Sequence, residues 1–269
     1  MPTNKQRREQ AQRRLQRQLE RRAELARKRR RNLLIGVTVI AVLAVVGALF
    51  IITNLGDGDS DTSAAASSTA DTSAAPAGET TVAGPCTYTT DGTASAGVAV
   101  TPPSGDIATT GTLALTMTTD AGLIGLSLDR ATATCAAASF DALTQQGYFD
   151  GTPCHRLTTD EALKVLQCGD PGGTGTGGPG YTYPTQVTGS ETYPRGTLAM
   201  ANSGQGTDGS QFFLVYGDST LTPDYTVVGT IDEAGLAVLD TIAAGGVADG
   251  STDGAPATPV TITSMTVAQ

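Results

Sequence analysis

Few residues in this 269-residue chain have the type and spacing for conventional catalysis. It lacks a G-x-S-x-G elbow, a phosphate-binding loop followed by Lys, and a histidine-rich ligand set. Its one histidine, His155, stands beside Cys154. Adjacent residues on a strand point to opposite faces, so the two do not make a thiol–imidazole pair, and a buried histidine bonded to backbone is the favoured reading. Arg156 follows. A guanidinium offers several donors and no acceptor, which suits stabilising a lone pair or an anion, although a surface ion pair is the simpler use in a segment rich in acids. The glycine-rich run 172–180 reads as a loop and, with no Lys after it, not as a phosphate cradle. At Phe212 and Phe213, alternation buries one ring in the core and leaves the other to line a groove.

These residues recur in ordered blocks: FDGTPCHRL (149–157), VLQCGDPGGTGTGGPGY (165–181), YPRGTLAMANSGQGTDGSQFFLVY (193–216) and LTPDYTVVGTI (221–231). Together they resemble the cyclophilin family of peptidyl-prolyl isomerases, collinearly over most of 107–267. The membrane anchor, tether and exported cysteines described below resemble the anchored members of high-GC Gram-positive bacteria. The resemblance implies that Arg156, Gln167, Asn202 and Phe213 are catalytic. It implies that Val165, Gly175, Ala201, Gln211, Leu221, Tyr225 and Lys164 contact substrate. In that family the arginine polarises the prolyl nitrogen as the amide twists, with no covalent intermediate and no cofactor or metal. Resonance sets the amide barrier at ~18–20 kcal/mol, and stabilising a pyramidal nitrogen lowers it. Turnover in milliseconds, against roughly 10–100 s uncatalysed, asks for on the order of 5–6 kcal/mol. One charge-assisted hydrogen bond supplies about 1.5–3 kcal/mol, so positioning and burial by Phe213, Val165 and Leu221 must supply the rest.

The sequence departs from the family pattern in several places. TTDEALK (158–164) replaces a tight turn and puts Lys164 at an aromatic position, Val165 replaces a methionine, Tyr225 replaces a histidine, and Thr220 stands where eukaryotic members often have tryptophan. A lysine at the pocket rim would reduce apolar area and favour acidic peptides. Loss of the tryptophan implies weak cyclosporin binding.

The elements that must position these groups are mostly strands. The segments 111–119 and 122–129 read as a hairpin. A helix follows, with Thr134 as its cap, Ala138, Phe140 and Leu143 along one face, and Gly147 at its stop. Further strands are expected at 154–158, 164–168, 196–201, 210–216, 225–231 and 259–267, with a second helix over 233–243. Periodicity leaves an antiparallel barrel or a sandwich open. The resemblance implies a mainly β, α+β fold: a closed eight-stranded antiparallel barrel capped by two helices, preceded by one transmembrane helix.

Charge divides the chain. Of 17 Lys and Arg, 13 lie in residues 1–31 beside three acids, whereas the rest carries four basic and 23 acidic side chains. Between them Leu33–Ile52 has 20 uncharged, predominantly apolar residues, which as a helix span roughly 30 Å, the thickness of a bilayer core. The preceding Arg27–Arg31 cluster places the N-terminus in the cytoplasm and the acidic body outside. A cleaved signal peptide is the competing reading. The long apolar run, the long basic arm and the absence of a small-x-small site favour an uncleaved, single-pass anchor. The basic arm suits anionic headgroups better than nucleic acid. The expected divisions are a cytoplasmic arm (1–31), a transmembrane helix (32–55), a flexible Ala/Ser/Thr/Asp-rich linker (56–85) and the folded domain (86–269, core 107–267). Cys86, Cys135, Cys154 and Cys168 all fall outside the membrane and predict two disulfides, three pairings being open. The expected function is isomerisation of proline-containing unfolded or flexible polypeptides at the outer face of the membrane. A prolyl-peptide-binding or chaperone module with reduced catalysis is the alternative, and an envelope scaffold the third.

Overall fold

The structure, a computed structural model, describes residues 78–94, 98, 100–202, 204 and 206–268. The basic arm and the apolar run 33–52 lie outside the described residues, as does the linker up to position 77. Among the described residues no helix is long and apolar enough to cross a membrane.

Among the described residues, fourteen strands and two helices follow in chain order: β1 (Thr80–Ala83), β2 (Cys86–Ala94), β3 (Thr112–Thr119), β4 (Gly122–Asp129), α1 (Thr134–Gln145), β5 (Thr152–Cys154), β6 (Arg156–Asp160), β7 (Leu163–Cys168), β8 (Pro179–Pro184), β9 (Thr197–Met200), β10 (Thr207–Asp208), β11 (Phe212–Gly217), β12 (Val227–Ile231), α2 (Glu233–Gly245), β13 (Asp253–Gly254) and β14 (Val260–Val267). Ten strands form one curled antiparallel sheet in the order β13-β6-β7-β11-β9-β12-β4-β3-β14-β5. This corrects the expectation of a closed eight-stranded barrel. One expected strand is interrupted at His155, so that β5 pairs with β14 while β6 pairs with β7, and the two-residue β13 adds at the edge.

Alternation explains the core. Along β3, Leu113, Leu115, Met117 and Thr119 are buried while the positions between them are not, and β4 matches it residue for residue across the predicted turn. Phe140 from α1 stacks on Phe149 at 5.4 Å and meets Phe212 of β11 at 5.1 Å, fixing the helix to the sheet. Thr134 does not cap α1. It is already the first helical residue and its hydroxyl donates to the Arg130 carbonyl. The orphan amides of Cys135 and Ala136 donate instead to Oε1 of Gln186, about fifty residues away. On α2 the cap is local: the Asp232 carboxylate accepts from the Gly235 amide at 2.7 Å.

A second, four-stranded sheet runs β1-β2-β8-β10. Its first strand lies within the segment read as a linker. Of the three pairings left open by the sequence, the structure has Cys86–Cys135, joining β2 to α1, and Cys154–Cys168, joining β5 to β7.

Candidate active site

The register of the curled sheet places the site. Arg156 on β6 pairs with Gln167 on β7, Gln167 pairs with Phe213 on β11, Phe213 with Ala199 on β9, and Ala199 with Val227 on β12. Directly paired residues share a face, so these five side chains form one row across five strands. With strands ~4.8 Å apart, Arg156 and Phe213 stand roughly 10 Å apart at the backbone, within reach of one extended dipeptide. Phe212, the neighbour of Phe213, points the other way into the main core, as alternation requires.

Phe213 sits in a separate apolar cluster with Val165, Tyr193, Ala199 and Val215, bordered by half-buried Leu163, Ala201, Leu221, Tyr225 and Val227. Tyr225 meets the Phe213 ring edge-on at 5.5 Å, and Tyr193 backs both rings at 6.1 Å. The Tyr193 hydroxyl donates to the Tyr225 carbonyl and accepts from its amide. The result is an apolar patch in which half-buried Ala201, Leu221 and Tyr225 border Phe213 and Val165.

A polar chain runs beside it. The Arg156 Nη1 donates to Gln167 Oε1 at 3.1 Å, Gln167 Nε2 donates to Gln211 Oε1 at 2.9 Å, and Gln211 Nε2 donates to the Gly177 carbonyl at 2.8 Å. At the far end, Nε and Nη2 of Arg156 donate to the two carboxylate oxygens of Asp253. Among the described residues, three of the guanidinium's five N–H donors are thereby engaged and two remain for another acceptor. The hydrogen bonds to Asp253 raise the Arg156 pKa further, keeping it charged.

Two of the expected contacts have side chains engaged elsewhere, although Asn202 still lines the groove beside Ala201 and Gln211. Lys164 turns away: its stem packs on Gly217, where a β-carbon would lie 2.5 Å from the lysine Cδ, and Leu163 joins the apolar cluster instead. Asn202 spends its side chain internally, donating to the Asp224 carbonyl and accepting from the Gly204 amide. Gly175 lines the adjoining groove at φ 76°. There its amide, with those of Gly172, Thr174 and Gly177 and the Thr174 hydroxyl, converges on the Asp170 carboxylate. Burial pushes that carboxyl up, but the hydrogen bonds from Gly172, Gly177 and Thr174 outweigh it and hold the pKa below its ordinary value.

His155 is corrected. Both ring nitrogens are buried without a partner among the described residues, so it is not bonded to backbone. Burial lowers its pKa and keeps the ring neutral. Asp208, fully buried beside the groove, gives one oxygen to the Thr226 hydroxyl and leaves Oδ1 without a partner among the described residues. Burial pushes its pKa up to about 6.

Sequence reasoning missed Asp253, Tyr193, Leu163 and Asp170. Asp170 had a local signal, since Asp-Pro-Gly-Gly marks a side-chain-bridged turn. Asp253, 97 residues from its arginine, had none.

Comparison with known proteins decides the family. The model of the family "Cyclophilin type peptidyl-prolyl cis-trans isomerase/CLD" matches residues 114–267, more than half of the chain. The chain belongs to the cyclophilin-type peptidyl-prolyl cis-trans isomerase family. It is 56% identical over 166 residues to a probable peptidyl-prolyl cis-trans isomerase B of Mycobacterium leprae, covering 57% of this chain and 56% of that protein. It is 55% identical over 165 residues to one of Mycobacterium tuberculosis, covering 57% and 54%. The chain thus spans about half the length of these curated relatives. Among solved structures, a cyclophilin-type isomerase of Cryptosporidium parvum superposes with a TM-score of 0.52 at 27% identity, covering 59% of this chain and 99% of that one. A further structure of that protein, in the presence of the dipeptide Ala-Pro, gives 0.51. The cyclophilin match begins at 114, so the β1–β2 hairpin with its disulfide-bonded Cys86 lies outside it.

Proposed function

We propose that this cyclophilin domain catalyses cis/trans isomerisation of peptide bonds preceding proline. The observation that carries the reading is the cross-strand row in which Arg156, charged and with two N–H donors unspent, stands two strands from the Phe213 pocket. A proline ring seated on Phe213 and Val165 puts its amide nitrogen toward the guanidinium. Rotation about the amide localises the lone pair on that nitrogen, and an N–H from Arg156 donates to it more strongly in the twisted state than in the planar one. That difference is what lowers a barrier. The Gln167–Gln211–Gly177 chain holds the arginine in place, so the donor needs little reorganisation. No bond to the enzyme forms and no cofactor is required.

The substrates on this reading are proline-containing unfolded or flexible polypeptides. The basic arm, the 20-residue apolar run and the acidic, disulfide-bonded body support a single-pass protein whose domain works on exported chains outside the membrane. The alternative, a prolyl-peptide-binding module with reduced catalysis, draws on Asp253, which occupies two donors of the arginine. Following isomerisation of a proline peptide by the purified protein separates the two. A catalysed rate supports the isomerase, and binding at the uncatalysed rate supports the module.

A further inference from the structure

Residues 78–94, although outside the family match, are built into the groove. The β1–β2 hairpin is held at three points. Strand β2 pairs with β8. Tyr88 is buried, its ring edge-on to Tyr181 and Tyr183 at 5.8 and 5.4 Å and its hydroxyl donating to the Cys135 carbonyl. Cys86 is bonded to Cys135.

Along β2 the register then slips. Thr90 faces Tyr181 but Ala94 faces Pro179, four steps on one strand against two on the other. The intervening residues bulge, with Gly92 at φ 74°. A bulge re-aims side chains, and such irregularities gather beside binding sites. Here it brings Asp91 and Ala94 onto the wall of a groove of about 690 Å³ that continues past Gln167, Gln211, Ala201 and Asn202. The contact is close: a β-carbon on Gly180 would lie 3.1 Å from the Ala94 amide nitrogen.

The lining has a definite charge character. It holds three carboxyl groups, from Asp91, Asp170 and Asp208, and no Lys or Arg among the described residues. Asp170 is buried and saturated by its own loop, and Asp208 is buried. Asp91 is exposed.

We propose that the hairpin 78–94 is a specificity wall of the substrate groove, and that Asp91 on it selects polypeptides carrying Lys or Arg near the proline. This rests on the prolyl-peptide reading above. Ala201 both lines the groove and borders the Phe213 cluster, so a chain seated on Phe213 runs its flanking residues along the hairpin.

The test uses the full-length protein in detergent and proline peptides carrying Lys or Glu at successive positions on either side of the X-Pro bond. The wild type should favour Lys over Glu at one flanking position by about 3- to 10-fold in kcat/KM, less at high salt. In Asp91→Asn the ratio should fall to near one, with the thermal transition in place. In Cys86→Ser/Cys135→Ser, whose hairpin is no longer stapled to α1, the ratio should fall as well. A wild type without preference, or an Asp91→Asn protein that keeps it, overturns the proposal. If the wild type does not accelerate isomerisation of any peptide, the isomerase reading fails by itself, and the same Lys-to-Glu ratio read as Kd by fluorescence anisotropy still decides the wall.

Discussion

The carboxylate of Asp253 grips the guanidinium of Arg156 through two parallel hydrogen bonds, Nε to Oδ1 at 2.7 Å and Nη2 to Oδ2 at 2.8 Å. The bidentate geometry fixes the plane of the guanidinium. The pair is substantially exposed, 38% and 53% at the two side chains, so it contributes little to stability. On the isomerase reading proposed above, its effect belongs to catalysis. Asp253→Ala should lower kcat about 3- to 10-fold by letting the arginine leave its plane, and should move the unfolding midpoint by no more than the equivalent of ~1 kcal/mol. Steady-state kinetics beside a thermal melt check this, and a rise in kcat would mean that Asp253 competes with substrate for the arginine.

Gln167 is the other hand on Arg156, and it passes its amide on to Gln211. Gln167→Ala breaks the chain in the middle. The expected loss is about tenfold in kcat/KM, the equivalent of ~1.4 kcal/mol for one charge-assisted contact. Gln211→Ala should lose less, because Gln167 would keep its bond to the arginine. Equal losses would show that the groove wall, rather than the arginine's orientation, had been damaged.

Asp208 makes stability depend on pH in an unusual direction for a carboxylate. Its folded pKa, about 6, lies above the ordinary value of 3.8. The protonated form is therefore the one the fold favours. Its contribution is complete below the unfolded pKa of ~3.9 and is lost as pH rises through about 6. Asp208→Asn, which keeps the shape and removes the charge, should stabilise the protein by on the order of 2–3 kcal/mol at pH 7, with the gain shrinking toward pH 4. Urea unfolding at a series of pH values checks the trend, and a gain that grows on acidification would reverse the assignment.

The Cys86–Cys135 disulfide closes a loop with a sequence separation of 49. Chain entropy alone assigns such a cross-link ~4 kcal/mol. Replacing both cysteines with serine should lower the denaturation free energy by about that amount in urea, and a change below ~1 kcal/mol would mean that Tyr88 and the β2–β8 pairing already hold the hairpin.

How much of this was legible follows from how far apart the interacting residues are. The β3–β4 hairpin, both helices and the alternation at Phe212 and Phe213 are local patterns, and the residues themselves display them. Gln186 capping α1, Asp253 on Arg156 and the break at His155 depend on which distant segment arrives there, and no periodicity encodes that. The packing of the Lys164 stem on Gly217 was hidden for a related reason. The segment TTDEALK (158–164), longer than a tight turn, leaves open which neighbour faces the site, and in the structure Leu163 joins the apolar cluster. Strand β8 was hidden because the glycine-rich run 172–180 that leads into it reads as loop, whereas its buried tyrosines, Tyr181 and Tyr183, alternate as a strand requires.

The central claim is that a charged arginine held beside an aromatic proline pocket twists the prolyl amide. Its most direct test is kcat/KM for isomerisation of a proline peptide by the wild type and by Arg156→Ala, with peptide affinity measured in parallel. The account predicts a catalysed rate in the wild type and a loss of about 10²- to 10³-fold in the variant, the equivalent of roughly 3–4 kcal/mol of transition-state stabilisation, with affinity changed far less. Equal rates for the two proteins would contradict it.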